Sequence, residues 1–143
     1  MITAKSLIST FGTNDPFEIS KSLDIIVFRH QLKGLRGYCY TEDDKDIIVL
    51  ADDMDDLTER FVCAHELPHI CLHKKINRIF MDTRTNVVTN KYENEADRFA
   101  CQLLFSTPPL LQEETITDKQ IAKCLNIPLY NLNNRLINLG IYF

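Results

Sequence analysis

One stretch of the sequence, from about Leu57 to His73, constrains the fold more than any other. Apolar residues occupy almost every side of the helix that this stretch predicts, and a helix that is apolar all round is buried. Its strongly polar interior residues are His65, Glu66 and His69. Buried polar side chains need partners, so we expect a polar or metallic group against this stripe.

The segment His65-Glu66-Leu67-Pro68-His69 fits the pattern H-E-x-x-H. Residues i and i+4 lie one turn apart on the same face of a helix, so both imidazoles can reach one ion at the ~2.0–2.1 Å that zinc prefers. Glu66 lies about 100° further round the helix, beside the open coordination position. There its carboxylate can take a proton from a water molecule whose pKa the metal lowers, and pass it to the leaving amine. The motif therefore predicts a zinc-dependent peptidase.

A catalytic zinc site needs a third protein ligand, and a second helix predicted from about Tyr92 to Phe105 begins with several carboxylates. Glu95 shares a face with the apolar Phe99, so its side chain is predicted to point inward, whereas Glu93 and Asp97 lie on the other side. The alternative for Glu95 is a solvated carboxylate that is favoured by the positive helix start. Spacing alone leaves both interpretations open.

His73 is a rival for the third position, because it lies one turn beyond His69. A ligand from a separate helix closes a tetrahedral site better than a third residue of the same helix. We therefore interpret His73 as a residue that supports the site or packs beside it.

Two segments of the sequence together match the pattern of a known family. Residues 59–73 read ERFVCAHELPHICLH, and residues 93–104 read ENEADRFACQLL. They resemble the ImmA/IrrE metallopeptidases, whose patterns are R-F-x-x-A-H-E-L-G-H-x-x-L-H and E-x-E-A-x-x-F-A-x-x-L-L. The resemblance extends over roughly residues 15–140. It implies a thermolysin-like zinc site with His65, His69 and Glu95 as ligands and Glu66 as base. It also implies cleavage of a repressor encoded by a phage or mobile element, which derepresses silent genes.

One residue departs from the family pattern, because Pro68 stands where glycine is usual. A proline inside a helix lacks the amide hydrogen and crowds the carbonyl four residues back, here that of Ala64. The sequence thus predicts a kink between the two histidines that retunes or spoils the site. The alternative function is a non-catalytic, zinc-stabilised regulator that acts through protein or DNA binding.

Composition excludes several other classes of protein. A formal net charge of -4 argues against nucleic acid as a direct partner, because phosphate binding needs a positive field. No apolar run approaches the roughly 20 residues of a membrane span, and the first residues lack the apolar core of a signal peptide, so a cytoplasmic location is expected. The five cysteines include no CxxC pair and are predicted to be small buried hydrophobes in a reducing compartment.

The remaining pattern predicts an α+β fold with a small antiparallel sheet packed on the zinc-binding helix and with helices at the C-terminus. Helices are predicted at 4–11 and 15–23, and strands at 24–29, 38–40 and 47–50. Residues 1–113 form the predicted metallopeptidase-like core. Residues 114–143 are predicted to be a helix-turn-helix-like tail packed on that core.

The charge of this tail bears on its role. From Thr117 onwards, three basic residues oppose Asp118, which gives only +2. The second helix of the tail carries Arg135 alone, towards its C-terminal end rather than at the start that reads bases. This pattern favours packing or substrate docking over DNA binding.

Overall fold

The computed structural model describes residues 2–73, 86–105 and 116–141. In chain order its elements are α1 (Ala4–Phe11), α2 (Pro16–Ser22), β1 (Ile26–His30), β2 (Gly37–Glu42), β3 (Lys45–Ala51), α3 (Asp56–Cys71), α4 (Asn86–Phe105), α5 (Asp118–Leu125), a 3-10 turn (Leu129–Asn131) and α6 (Leu132–Asn138). The predicted α+β class is confirmed. The domain boundary predicted between residues 113 and 114 lies outside the described residues.

The three strands form one mixed sheet in the order β1-β3-β2. β2 pairs with β3 in the antiparallel sense, but β1 pairs with β3 in the parallel sense, so the predicted antiparallel sheet is wrong. The reason lies in β3, whose residues 47–51 are all buried. A strand that is apolar on both faces belongs in the middle of a sheet. β3 therefore separates β1 from β2, although these two are consecutive in the chain.

Gly37, at the start of β2, allows the sheet to approach the motif-bearing helix closely. A Cβ atom on this residue would lie 2.7 Å from Cγ1 of Val62 on α3 and 3.0 Å from the carbonyl oxygen of Val49. Both distances are shorter than ordinary van der Waals contacts, so a larger residue would force the sheet and α3 apart. Glycine at this position thus helps to set where α3 lies.

The helix α3 begins one residue earlier than its sequence pattern predicts. The cap is Asp55, whose side chain accepts a hydrogen bond from the backbone amide of Thr58 at 2.8 Å. The spacing of Asp56 and Glu59 in the sequence resembles a capping box and predicts Asp56 as the cap, which is wrong. Glu59 instead forms a two-pronged ion pair with Arg29 of β1, at 2.8 and 2.9 Å. This pair joins the start of α3 to the sheet.

The helix α3 is the hub of the described structure, because it packs against α2, α4, α5 and the sheet. The apolar core is one cluster to which the helices after residue 116 also contribute, through residues such as Ile121, Leu132 and Leu136. The turn between α5 and α6 starts at Asn126, which takes the left-handed conformation with φ 58° and ends α5. No helix within the described residues is long and apolar enough to cross a membrane.

Candidate metal centre

Two imidazoles of α3 and one carboxylate of α4 meet at a single point. Nε2 of His65 lies 2.8 Å from Oε2 of Glu93, and Nε2 of His69 lies 3.1 Å from Oε1 of the same carboxylate. One atom from each of the three residues lies within 4.8 Å of the others. Within the described residues, His65, His69 and Glu93 thus form a group that can hold a metal ion. The histidines share a face of the helix, as their spacing predicts.

Glu95, the predicted third ligand, lies elsewhere. Its Oε2 is 2.7 Å from Nε2 of His73, and the carboxylate beside His65 and His69 belongs to Glu93 instead. The structure therefore differs from the predicted placement of both carboxylates. α4 begins six residues before the predicted Tyr92, so these carboxylates lie within the helix rather than at its start.

A signal for Glu93 was present in the sequence. Glu93 and Asp97 are four residues apart, as His65 and His69 are, so each pair presents two side chains on one face of its helix. When α3 and α4 pack together, the two faces meet. The apolar neighbours of Glu95 directed the prediction to the other flank of the same helix, where its carboxylate contacts His73.

The outer nitrogen of His65 is held by a second carboxylate. Nδ1 of His65 lies 2.8 Å from Oδ1 of Asp97, whose other oxygen, Oδ2, accepts a hydrogen bond from Arg135 at 2.7 Å. Burial lowers the pKa of His65, but the hydrogen bonds to Asp97 and Glu93 outweigh burial and raise that pKa to about 10. In the metal-free protein a proton therefore occupies this imidazole, and a metal ion must displace it.

The outer nitrogen of His69 contacts a second histidine, His73, which in turn contacts the carboxylate of Glu95. Nδ1 of His69 lies 3.0 Å from Nδ1 of His73, and Nε2 of His73 lies 2.7 Å from the carboxylate of Glu95. In a metal-bound centre Nε2 of His69 would face the ion, so the proton of this ring would lie on Nδ1. That N–H would then donate to Nδ1 of His73, whose Nε2–H donates to Glu95.

The inner nitrogen of His69 tests whether the residues fit a metal. Nε2 of His69 is buried and has no hydrogen-bond partner, although Glu93 lies within 3.1 Å. A buried polar atom without a partner is costly, and a metal ion would satisfy it. Burial raises the pKa of Glu93, but its contacts with both imidazoles outweigh burial and hold that pKa well below its usual range. Two imidazole nitrogens and one charged carboxylate are a donor set of catalytic zinc sites, so the residues fit zinc.

Glu66 and Pro68 occupy the interior of α3 between the two histidines. Glu66 is only 3 % exposed, and its negative charge interacts favourably with His65. Pro68 is buried, and α3 continues through it to Cys71, so both histidines still reach Glu93. The predicted kink at Pro68 stays a prediction.

The cysteines next to the motif differ from a catalytic thiol. Burial raises the pKa of Cys63 to about 12, and its Sγ lies 3.7 Å from Oγ of Ser20 on α2. This thiol therefore faces away from the histidines and stays protonated at neutral pH. The prediction that all five cysteines are buried holds for three of them, since Cys39 and Cys71 are only partly buried.

Comparisons with known proteins identify the family of this chain. The model of the IrrE N-terminal-like domain, the peptidase M78 family, matches residues 20–136. An uncharacterized immunity region protein 2 of Bacillus phage phi105 is 36% identical over 102 residues, which cover 68% of this chain and 63% of the phage protein. The metallopeptidase ImmA of Bacillus subtilis strain 168 is 28% identical over 141 residues, which cover 95% of this chain and 83% of that protein. The chain thus belongs to the IrrE N-terminal-like family of metallopeptidases.

Proposed function

We propose that this chain is a zinc-dependent endopeptidase with His65, His69 and Glu93 as metal ligands and Glu66 as general base. One observation carries the proposal. The buried Nε2 of His69 lacks a hydrogen-bond partner and faces the carboxylate of Glu93, which also contacts Nε2 of His65. Family membership supports peptide hydrolysis as the chemistry of this centre.

Each residue of the centre has a task in this mechanism. A zinc ion held there supplies Lewis acidity, which lowers the pKa of water and polarises a peptide carbonyl. Glu66 accepts a proton from the attacking water and delivers it to the leaving amine. Asp97 contacts the outer nitrogen of His65 and His73 that of His69, so both Nε2 atoms would be free to hold a metal ion.

The substrate that we propose is a repressor of a phage or mobile element, so that cleavage switches on silent genes in the cytoplasm. A relative in Bacillus phage phi105 is named as an immunity region protein, and another relative is named as the metallopeptidase ImmA. A region that governs phage immunity is where a repressor would be encoded. The net charge of -4 is consistent with a protein substrate rather than nucleic acid.

The variant Glu66→Gln tests this function, because its amide cannot accept a proton and yet leaves all three ligands in place. We expect zinc content equal to that of the unmodified protein, and cleavage of the co-expressed repressor reduced by roughly 10²–10⁴-fold, as is typical for loss of a general base. Elemental analysis measures the zinc, and gel electrophoresis of the repressor measures the cleavage.

The same experiment decides between the two candidate functions. Repressor cleavage at an unchanged rate in Glu66→Gln would contradict the role of Glu66. If the unmodified protein binds zinc but leaves the repressor intact, the non-catalytic, zinc-stabilised regulator becomes the better account.

A further inference from the structure

Asp97 lies between the metal centre and the C-terminal helices, and it uses one oxygen for each. Oδ1 lies 2.8 Å from Nδ1 of His65, and Oδ2 lies 2.7 Å from the guanidinium of Arg135 on α6. Both side chains of this ion pair are mostly buried, with 17 % of Asp97 and 26 % of Arg135 exposed. A continuous polar chain therefore runs from α6 to a proposed metal ligand.

We infer that Arg135 is a positioning residue for the metal centre, an inference that rests on the proposed function. A carboxylate that contacts only His65 can rotate about its own side-chain bonds. A charge-assisted hydrogen bond to Oδ2 removes that freedom and fixes Oδ1 at the imidazole. The partner that holds a ligand sets its ring orientation and its tautomer, and through them the affinity for the metal.

The described residues show further links between the C-terminal helices and the rest of the protein, and the hydrogen bonds of these links are made by residues other than Asp97 and His65. Nε of Arg98 donates to the carbonyl of Leu139, and Nζ of Lys123 pairs with Asp55 at the start of α3. Arg36 lies near enough to Asp97 for a charge interaction, but its guanidinium donates to the carbonyl of Lys123. Several interactions thus attach these helices to the rest of the protein, whereas Arg135 is the residue that donates a hydrogen bond to Asp97.

The test compares Arg135→Ala with Arg98→Ala, since both remove one arginine that links α4 to the C-terminal helices. Zinc affinity is measured with zinc alone, by competition with a chromophoric chelator, and the metal-free melting temperature is measured in parallel. We expect Arg135→Ala to weaken zinc binding roughly 10-fold, the low end for loss of an outer partner of a metal ligand. Arg135→Lys should recover part of that loss. Arg98→Ala should lower the melting temperature and leave zinc affinity unchanged.

A second measurement separates positioning from general loosening. The proton on Nδ1 of His65 should give a slowly exchanging NMR resonance in the zinc-loaded protein, and Arg135→Ala should speed its exchange with solvent. If Arg135→Ala does not fold, Arg135→Gln serves in its place, because it keeps a donor for Asp97 but loses the charge.

The outcomes that overturn the inference are distinct from those that overturn the function. Zinc binding and NMR exchange that match the unmodified protein in the Arg135 variants would show that Arg135 only attaches α6. The same follows if Arg98→Ala weakens zinc binding as much as Arg135→Ala. Both inferences fail if the unmodified protein binds no zinc, whereas a zinc-binding protein with unaffected Arg135 variants leaves the proposed peptidase standing.

Discussion

The two imidazoles of the centre have the same inner neighbour and different outer ones. On one side, Nδ1 of His65 contacts the charged Asp97, which continues to Arg135 and is partly open to solvent. On the other, Nδ1 of His69 contacts the ring of His73 in an environment where the side chain of His69 is fully buried. The first side is held by charge and the second by the pattern of donors and acceptors.

A metal site needs ligands whose charge balances the cation and whose coordinating nitrogens carry no proton. In this pair of helices the two histidines meet these two requirements through different outer partners. A charged outer partner makes a ligand more basic and offsets the charge of the cation. A histidine as outer partner decides which nitrogen of the buried ring carries the proton. Substitutions on each side should therefore lower the zinc affinity to different extents.

The largest effect is expected where the two sides meet, at Glu93. Glu93→Gln removes the charged oxygen beside both imidazoles, so zinc affinity should fall by more than the 10–100-fold that loss of an outer partner causes. Glu95→Gln, the matched control on the same helix, should stay within that 10–100-fold range. Chelator competition measures both affinities. A greater loss in Glu95→Gln than in Glu93→Gln would return the third ligand to the residue that the sequence first indicated.

The next largest loss of zinc affinity is expected for substitutions of the outer partners, His73 and Asp97. His73→Phe keeps a ring against Tyr92, 4.4 Å away between centroids, but leaves the N–H of His69 without its acceptor. We expect zinc affinity to fall by roughly 10–100-fold. Asp97→Asn should cost less, because its amide oxygen can still accept from His65 and solvent reaches that side. Equal losses in the two variants, by the same chelator assay, would remove the proposed difference between the sides.

The charged side also predicts a pH dependence for the metal-free protein. The pKa of His65 is raised from 6.5 to about 10 in the folded state, so its contribution to stability is complete below pH 6.5 and is lost as the pH rises through 10. Urea unfolding at pH 6.5 and pH 9 should show this decline. Asp97→Asn should flatten it, because one of the two carboxylates that hydrogen-bond to His65 and raise its pKa is gone. A slope that is unchanged in Asp97→Asn would contradict the assignment to His65.

The smallest effect is expected away from both sides, at Asp55. Asp55→Ala removes the cap of α3 and the ion pair with Lys123, and should cost about 1 kcal/mol of unfolding free energy, a typical value for a lost cap. Lys123→Ala should cost much less, since exposed ion pairs contribute little. Zinc affinity should not change in either variant, which makes them controls for the larger effects.

Asp55 also has its own pH signature. The hydrogen bonds from Lys123 and Thr58 lower the pKa of this carboxyl from 3.8 to about 2. Its contribution to stability is therefore present above pH 3.8 and is lost as the pH falls towards 2. Acid unfolding curves of the unmodified protein and of Asp55→Ala should converge at the acidic end. Curves that stay parallel to pH 2 would contradict this assignment.

Local patterns in the sequence predicted much of the fold. The bounds of α1 follow from short-range residue preferences, and so does the helix predicted at 15–23, which the structure has at Pro16–Ser22. The order of the strands did not follow, because it depends on which strand is buried on both faces and not on which strands are consecutive. The cap of α3 was misplaced because Asp55 and Asp56 are adjacent carboxylates that local preference does not distinguish.

The candidate site was predictable to the extent that it lies on one helix. His65 and His69 come from a single motif whose spacing fixes their common face. Which carboxylate of α4 lies beside the two histidines depends on how α4 is rotated about its axis against α3. The apolar pattern of the sequence defines this rotation only to within the width of one helix face. Glu93 and Glu95 lie on the two flanks of that face, so packing of the whole protein decided between them.

The contact between Asp97 and Arg135 bears on the order in which the centre is completed during translation. Arg135 follows His65 by 70 residues, so the ribosome releases both histidines and Asp97 well before it releases this arginine. Chains begin to fold from their N-terminal side while they are being made. On the proposed function, a nascent chain that has not yet released Arg135 would hold zinc less firmly than one that has, and peptide hydrolysis would be delayed until synthesis has passed that residue.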